Sequence, residues 1–275
     1  MSMKIKMIYI STHAHTDTGG PEALLQLALA LSTHLKVTMF PSRIQPRFIE
    51  EYPNISSMPK AFPPSDLTSA DVVVLPEIEK CRKFGNAKVF IWLLSIYAPR
   101  RYPPQCTPIG HNSWTGRLWG NVSIIRPYIT PSTVKFCKKA RRMPSKQRNL
   151  TLIDKDSPPR VRALGVWVSG FKRDELMQML THARYVVDWK FRGSERMPIE
   201  ALLCGASVLT SREPSNNAFG EDFHFPSDSF VTRIEDIADR IRQNDPPPNM
   251  SHAIAVFELL GPDSMWKEAR FALGV

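Results

Sequence analysis

One short segment near the amino terminus contains several candidate catalytic and ligand-binding residues. It reads Ser-Thr-His-Ala-His-Thr-Asp-Thr-Gly-Gly-Pro-Glu. The His-x-His-x-Asp spacing of His13, His15 and Asp17 can bind a metal ion, or can set an imidazole and a carboxylate beside a proton to be removed. Gly19 and Gly20 allow close backbone approach, and the start of a helix at this point can bind phosphate. The segment therefore predicts either a metal site or a phosphate-binding turn.

A second segment combines a strand end, a polar loop and the start of a helix. The predicted strand over residues 184–188 is followed by a loop that carries Ser194, Glu195 and Arg196. Pro198 suits the first helical turn, where its missing N–H is not needed. Because the helix begins with free amides and the positive end of its dipole, we expect a phosphate to bind there beside Arg196.

Charged residues next to this helix add to the predicted anion site. Glu200, in the first turn, is predicted to turn outward and accept hydrogen bonds from ribose hydroxyls. The alternative is that Glu200 only favours the helix dipole and pairs with Arg196 four residues earlier. Lys172 and Arg173 lie at the start of the preceding predicted helix, where the dipole disfavours cations, so a nearby anion would explain them.

Around these residues the sequence alternates between apolar strands and helices with one apolar side. Strands are predicted over residues 5–11, 37–40, 71–76, 88–94, 122–125, 149–153, 165–168, 184–188 and 207–210. Helices are predicted over residues 22–34, 174–183, 198–204, 234–243 and 263–273. Residues 97–149 are rich in proline and in basic residues and mark a boundary. We predict two Rossmann-like domains, residues 1–127 and 149–275, joined by a basic linker over residues 128–148.

Composition narrows the class of protein. The 275 residues carry a net charge of +10 and include no apolar run of the length that a membrane-spanning helix needs. The densest basic run, residues 135–148, has few aromatic residues, so we expect a solvated helix and linker rather than a nucleic acid site. The four cysteines form no C-x-x-C pair, which argues against a zinc ribbon or a disulfide framework and favours a reduced, cytoplasmic location.

The second segment resembles the nucleotide-sugar-binding segment of GT-B glycosyltransferases. The likeness is greatest to a subgroup from polysaccharide gene clusters, also encoded by large DNA viruses, whose pattern reads roughly G-x-D/E-R-x-P-x-E-A-x-x-x-G. The positions that match are Gly193, Glu195, Arg196, Pro198, Glu200, Ala201 and Gly205. The Gly-Gly-Pro-Glu run that begins at Gly19, the Leu-Pro-Glu-Ile run that begins at Leu75, and residues 91–95 resemble the same subgroup in the same order.

The resemblance implies an α/β GT-B fold, in which two Rossmann-like domains face a cleft and the last helix packs back on the first domain. It also implies a hexosyl- or pentosyltransferase that moves a sugar from a nucleoside diphosphate, with UDP favoured, to a hydroxyl of a glycan acceptor. The donor would be bound by residues of both segments, namely Gly19, Gly20, Lys172, Arg173, Ser194, Glu195, Arg196, Pro198 and Glu200. We expect no metal or other cofactor to be required, no nucleic acid partner and no transmembrane segment.

At one position the sequence departs from the GT-B pattern in a way that concerns the mechanism. In the large retaining GT-B family two glutamates flank seven residues, but the position eight before Glu200 is Arg192. This favours an inverting displacement, which needs one base, and His13, His15 and Asp17 are the candidates. A protein that binds glycans or nucleotides without turnover is the alternative from another class.

A metal site in the first segment is a second hypothesis. The segment resembles the T-H-x-H-x-D-H-x-G-G loop of metallo-β-lactamase-fold hydrolases, in which zinc activates water. Thr18 stands where a ligand histidine belongs, and only one predicted strand precedes the motif, whereas that fold places several there. Further ligands would have to come from histidines elsewhere, such as His34 and His111.

Overall fold

The structure is a computed structural model of the 275-residue chain. It describes residues 7–12, 19–40, 44–95, 102–120, 122–191, 196–243 and 251–275. These residues form two compact units. Unit 1 comprises the described residues up to Tyr128 together with Leu260–Val275, and unit 2 comprises Ile129–Phe191 and the described residues from Arg196 to Leu259.

Unit 1 is built on a parallel sheet of five strands in the order β2-β1-β3-β4-β5. The strands are β1 (Ile8–Ser11), β2 (Val37–Phe40), β3 (Val72–Pro76), β4 (Lys88–Leu93) and β5 (Cys106–Gly110). Strands β1 and β3 are buried along their whole length, as expected for apolar runs covered on both faces. The chain order reverses between β1 and β3, and ligands of open α/β sheets bind at the carboxyl ends of strands at such a point.

The helices of unit 1 cover this sheet. They are α1 (Gly19–Ser32), α2 (Pro46–Glu51), α3 (Ser113–Leu118) and the carboxy-terminal α11 (Pro262–Leu273), with a short 3-10 helix at Pro53–Ser57. Helix α11 packs on α1 and buries Met265, Ala269 and Leu273, and the ring of Trp266 stacks on His34 at 4.2 Å. The prediction that the last helix packs back on the first domain is confirmed.

Unit 2 has a second parallel sheet of five strands, in the order β10-β9-β8-β6-β7. The strands are β6 (Leu150–Ile153), β7 (Val166–Trp167), β8 (Ala183–Val187), β9 (Ser207–Ser211) and β10 (Phe230–Val231). The helices are α4 (Pro131–Arg141), α5 (Pro159–Arg162), α6 (Arg173–His182), α7 (Met197–Cys204), α8 (Pro214–Asp222), α9 (Ile234–Gln243) and α10 (Ser251–Leu259). Short 3-10 helices lie at Ser145–Gln147 and Ser227–Ser229.

Two local predictions differ from the structure. The strand expected over residues 122–125 is only an isolated bridge between Ile124 and Gly110. The neighbouring strand is β5, which the sequence analysis did not predict because Pro108 lies in its middle. Since β5 is the edge strand of its sheet, the N–H that Pro108 lacks is not needed for pairing on the outer side.

The cysteines also differ from expectation. Cys81, after β3, and Cys106, the first residue of β5, form a disulfide with Cα atoms 6.5 Å apart, within the usual range. The prediction that the cysteines do not pair is wrong for these two, because the fold brings together residues 25 positions apart. Cys137 and Cys204 are free and buried.

Two further observations concern membrane-spanning helices and the alternative metallo-β-lactamase fold. No helix within the described ranges is long and apolar enough to cross a membrane. A single strand, β1, precedes the His-x-His-x-Asp segment in the described part of the chain, and each sheet is entirely parallel. A metallo-β-lactamase fold places several strands before its histidine motif, so this chain has a different fold.

Candidate nucleotide-sugar site

The first turn of α7 forms the centre of the candidate site in unit 2. The chain leaves β8 at Val187, and α7 begins at Met197, with Pro198 in its first turn. The Glu200 amide donates to the Arg196 carbonyl at 2.9 Å and closes the first turn. Gly205 ends the helix with a φ of +88°, a conformation that favours glycine.

The carboxylate of Glu200 is fully buried and binds two arginines. Arg173 donates from both terminal nitrogens, one to each carboxylate oxygen, which is the bidentate geometry of strong guanidinium–carboxylate pairs. Arg196 donates from Nε to Oε1 at 3.1 Å, and its Nη2 lies 3.0 Å from the same oxygen. The side chain therefore faces inward, not outward as predicted, and a ribose contact would require it to give up part of these pairs.

The ionisation of Glu200 follows from this geometry. Burial alone would raise the pKa of Glu200, but the positive charges of Arg196 and Arg173 and their hydrogen bonds outweigh it, so the pKa lies below its ordinary value. The carboxylate is therefore ionised at neutral pH. The three side chains of Arg173, Arg196 and Glu200 together carry two positive charges and one negative charge.

Helix α6 supplies Arg173 from its first position. Lys172, which is exposed, precedes it, and the Lys172 backbone amide donates to Glu175 at 2.8 Å. A cation at this end is disfavoured by the dipole of α6, and Glu200 offsets that cost for Arg173. The sequence placed Arg173 beside an anion, but the partner in the structure is a carboxylate 27 residues away.

A buried asparagine that the sequence analysis missed holds the loop before α7. Asn216, on α8, is fully buried. Its amide donates to the Trp189 carbonyl at 3.1 Å and to Thr210 Oγ1 at 2.7 Å, and its Oδ1 accepts from the Phe191 amide at 2.9 Å. These bonds fix the backbone up to residue 191. Ser194 and Glu195, both predicted to bind the donor, lie outside the described residues.

In unit 1 the candidate site lies at the carboxyl ends of β1, β3 and β4. The predicted bases His13, His15 and Asp17 fall in residues 13–18, outside the described ranges, so their positions are not assigned. The residues on either side are described: Ser11 Oγ donates to Glu79, and α1 begins at Gly19.

Gly20 occupies an open position in α1. A Cβ built there would lie 3.8 Å from Leu94, an ordinary contact, so this position does not require glycine for space.

Glu77, directly after β3, is a second residue that the sequence analysis did not assign to the site. Its Oε2 accepts from the Leu94 amide at 3.0 Å. Burial raises the pKa of Glu77 above its ordinary value, and the hydrogen bond from Leu94 only partly opposes this shift. An acidic residue immediately after a buried strand was the available signal, because such residues lie at the edge where ligands bind.

Glu22, the last residue of the Gly-Gly-Pro-Glu run, has a structural role. It is 1% exposed, accepts from Tyr52 Oη at 2.7 Å and pairs with Arg47 at 3.4 Å. Burial is the main cause of the raised pKa of Tyr52, so its hydroxyl stays protonated and donates to Glu22. Glu22 therefore fixes α1 within unit 1.

The histidines considered as additional zinc ligands have other partners. The ring of His111 is buried, with Nδ1 2.6 Å from the Leu93 carbonyl and Nε2 2.9 Å from the Asn112 amide nitrogen. Both nitrogens are thus occupied, and His34 stacks on Trp266. Within the ranges that the structure describes, no three histidine, cysteine, aspartate or glutamate residues are grouped as metal ligands.

Comparison with known proteins supports the fold. No protein-family model matches this sequence, and no curated protein matches it. The solved structure of HepE from Anabaena, in complex with UDP and glucose, matches with a TM-score of 0.58 at 10% identity, over 98% of this chain and 99% of that chain. AviGT4, a glycosyltransferase involved in avilamycin A biosynthesis, matches with a TM-score of 0.58 at 11% identity, over 98% of each chain. The chain has a GT-B fold.

Proposed function

We propose that this protein is a glycosyltransferase that moves a sugar from a nucleoside diphosphate, with UDP favoured, to a hydroxyl of a glycan acceptor. The observation that carries the proposal is the pair of guanidinium groups, Arg173 and Arg196, held on one buried carboxylate at the start of α7. The fold shared with HepE, whose structure holds UDP and glucose, and with AviGT4 supports it.

The donor diphosphate would bind at the first turn of α7. Free amides at the helix start and the net positive charge of Arg173, Arg196 and Glu200 would attract it, and exposed Lys172 adds a further cation. Charge that develops on the leaving diphosphate would be offset by these groups, without a required metal. Ser194, Glu195 and Pro198 would contribute to this donor site. In unit 1, Gly19 and Gly20 at the start of α1 would offer a phosphate the same kind of free helix amides.

The acceptor would be activated by a base from residues 13–18. In an inverting displacement, His13, His15 or Asp17 takes the proton of the acceptor hydroxyl while that oxygen attacks the anomeric carbon. The bond from the anomeric carbon to the phosphate oxygen breaks, and the nucleoside diphosphate leaves with the electron pair. A histidine paired with a carboxylate suits this proton transfer near neutral pH.

Turnover with a panel of UDP-, GDP- and dTDP-sugars tests the proposal. We expect release of the nucleoside diphosphate from one of these donors, and a loss of about 100-fold or more in turnover on substituting the base through Asp17→Asn or His15→Ala. UDP binding should persist in both variants. Intact turnover in both would contradict the assignment of Asp17 and His15, while binding without any wild-type turnover would indicate a non-catalytic nucleotide-binding protein.

A further inference from the structure

Helix α4 presents a row of cations to solvent. Lys135, Lys138 and Lys139 of α4, and Arg142 directly after its last residue, are all exposed and recur every three or four residues, so they share one side. We call these four residues the cationic face. No aspartate or glutamate occurs over residues 131–148. The opposite side of α4 buries Thr133, Cys137 and Ala140.

Helix stability alone does not explain the cationic face. Like charges three or four residues apart repel one another, which destabilises an isolated helix. The dipole favours cations in the last turn, and this accounts for Lys138 and Lys139. It does not account for Lys135, which lies in the middle of the helix. A partner outside α4 would explain the whole row.

The residues that the structure describes neutralise little of this charge. Glu258, on α10, lies 3.3 Å from Lys138 and 3.5 Å from Arg141, so one carboxylate is shared by two cations. Lys135, Lys139 and Arg142 make no ion pair with the residues that the structure describes. The face therefore keeps most of its positive charge.

Two exposed apolar residues are sequence neighbours of the residues in this cluster. Phe136, between Lys135 and Lys138 in sequence, is 37% exposed. Leu259 is 80% exposed and follows Glu258 directly. Cations next to exposed apolar side chains fit the interface of an anionic bilayer, where the cations meet headgroups and the apolar groups enter the acyl boundary. A nucleic acid or an acidic polysaccharide would make no use of Leu259.

We propose that the cationic face of α4 binds the surface of an anionic phospholipid membrane, with Phe136 and Leu259 inserting beside it. The contact is peripheral and places unit 2 at the bilayer surface. The inference is independent of the proposed glycosyl transfer, because it rests on residues outside the candidate nucleotide-sugar site.

Flotation with phosphatidylcholine vesicles, with and without phosphatidylglycerol, measures this binding. We expect the full-length protein to float only with the anionic vesicles and to be released by salt, which screens the charges. Each cation near such a surface contributes roughly fivefold in affinity, so Lys135→Gln with Lys139→Gln should weaken binding about 25-fold. The matched control, Lys36→Gln with Lys88→Gln, removes two exposed cations of unit 1 and should leave affinity unchanged.

Two more variants test the assignment without relying on a loss of charge. Glu258→Gln frees Lys138 and Arg141 and should strengthen binding to anionic vesicles roughly fivefold without changing binding to neutral vesicles, whereas misfolding would raise binding to both. Phe136→Ser should weaken binding to anionic vesicles and leave binding to heparin unchanged.

Four results would overturn the proposal. They are equal flotation with neutral and anionic vesicles, an equal loss in the control pair, no gain in Glu258→Gln, and binding to heparin or an oligonucleotide without binding to vesicles.

Discussion

Glu200 connects the chemistry of the candidate site to the stability of unit 2. Because its carboxylate is fully buried and shared by Arg173 and Arg196, removing the charge breaks an ion pair with each of the two guanidinium groups. Breaking a buried pair from one side costs about 3–5 kcal/mol. We expect Glu200→Gln to lower the free energy of unfolding by about that amount at neutral pH, measured by urea-induced unfolding.

The same residue predicts a pH dependence. The pKa of Glu200 is lowered on folding from its ordinary value of 4.5, so its contribution to stability is present above pH 4.5 and is lost as the pH falls through the folded pKa. Wild-type protein should lose this contribution on acidification, and Glu200→Gln should lack the corresponding change. Parallel pH profiles for the two proteins would contradict the pairing.

For Glu77 we expect the opposite dependence of stability on pH. Burial raises its pKa on folding from 4.5, so the ionised side chain disfavours the folded state, and stability is lost as the pH rises through the folded pKa. A glutamine can still accept the hydrogen bond from the Leu94 amide. Glu77→Gln should therefore unfold at a urea concentration equal to or above that of wild type at neutral pH, and the two should converge below pH 4.5. A less stable variant at neutral pH would disprove this account.

The side chain of Arg148 contacts the carboxyl ends of three helices of unit 2. Arg148 is buried and donates to the carbonyls of Ala140 at 2.7 Å, Ala183 at 3.3 Å and Cys204 at 2.6 Å, at the ends of α4, α6 and α7. Helix ends carry free carbonyls and a partial negative charge, which a guanidinium satisfies. Burial lowers the pKa of Arg148, because the charged form loses its hydration inside the unit.

Replacing Arg148 should loosen all three helices together. We expect Arg148→Met to destabilise the protein by about 3 kcal/mol, since buried carbonyls lose their donor. Hydrogen exchange should rise in α4, α6 and α7. The control, Arg142→Met, removes an exposed arginine and should change stability by less than about 0.5 kcal/mol. Faster exchange in only one helix would show that Arg148 does not join them.

Some strands and helices could be predicted from the sequence and others could not. Strands such as β1, β3 and β8 were predictable, because buried parallel strands are continuous apolar runs. Helices α8 and α10 were not, since the first has few apolar residues and the second follows a proline-rich stretch.

Within the site, the helix start at Pro198 could be predicted from local residue types. The pairing of Arg173 with Glu200 and the burial of Asn216 depend on tertiary contacts. Arg148 belongs to the basic run, yet it is buried, which its charge does not indicate.

At the scale of the whole molecule, the chain returns to unit 1 after building unit 2. Helix α11 packs on α1, and Glu268 on α11 binds Arg126, with Nε to Oε1 at 2.7 Å. Gln26 on α1 accepts from the Tyr128 amide at 3.2 Å and donates to its carbonyl at 2.8 Å. The last helix of the chain thus packs in unit 1, as the resemblance to GT-B proteins implied. The overall fold agrees with HepE and AviGT4.

In the proposed function, Arg173 and Arg196 bind the diphosphate of a nucleotide donor. Calorimetric titration with UDP and with uridine isolates the phosphate contribution. UDP should bind more tightly than uridine, and Arg173→Gln or Arg196→Gln should each weaken UDP binding about 10- to 100-fold while uridine binding stays the same. The control Arg142→Gln should match wild type. Equal affinities for UDP and uridine, or UDP binding that survives both substitutions, would contradict a role of these arginines in diphosphate binding.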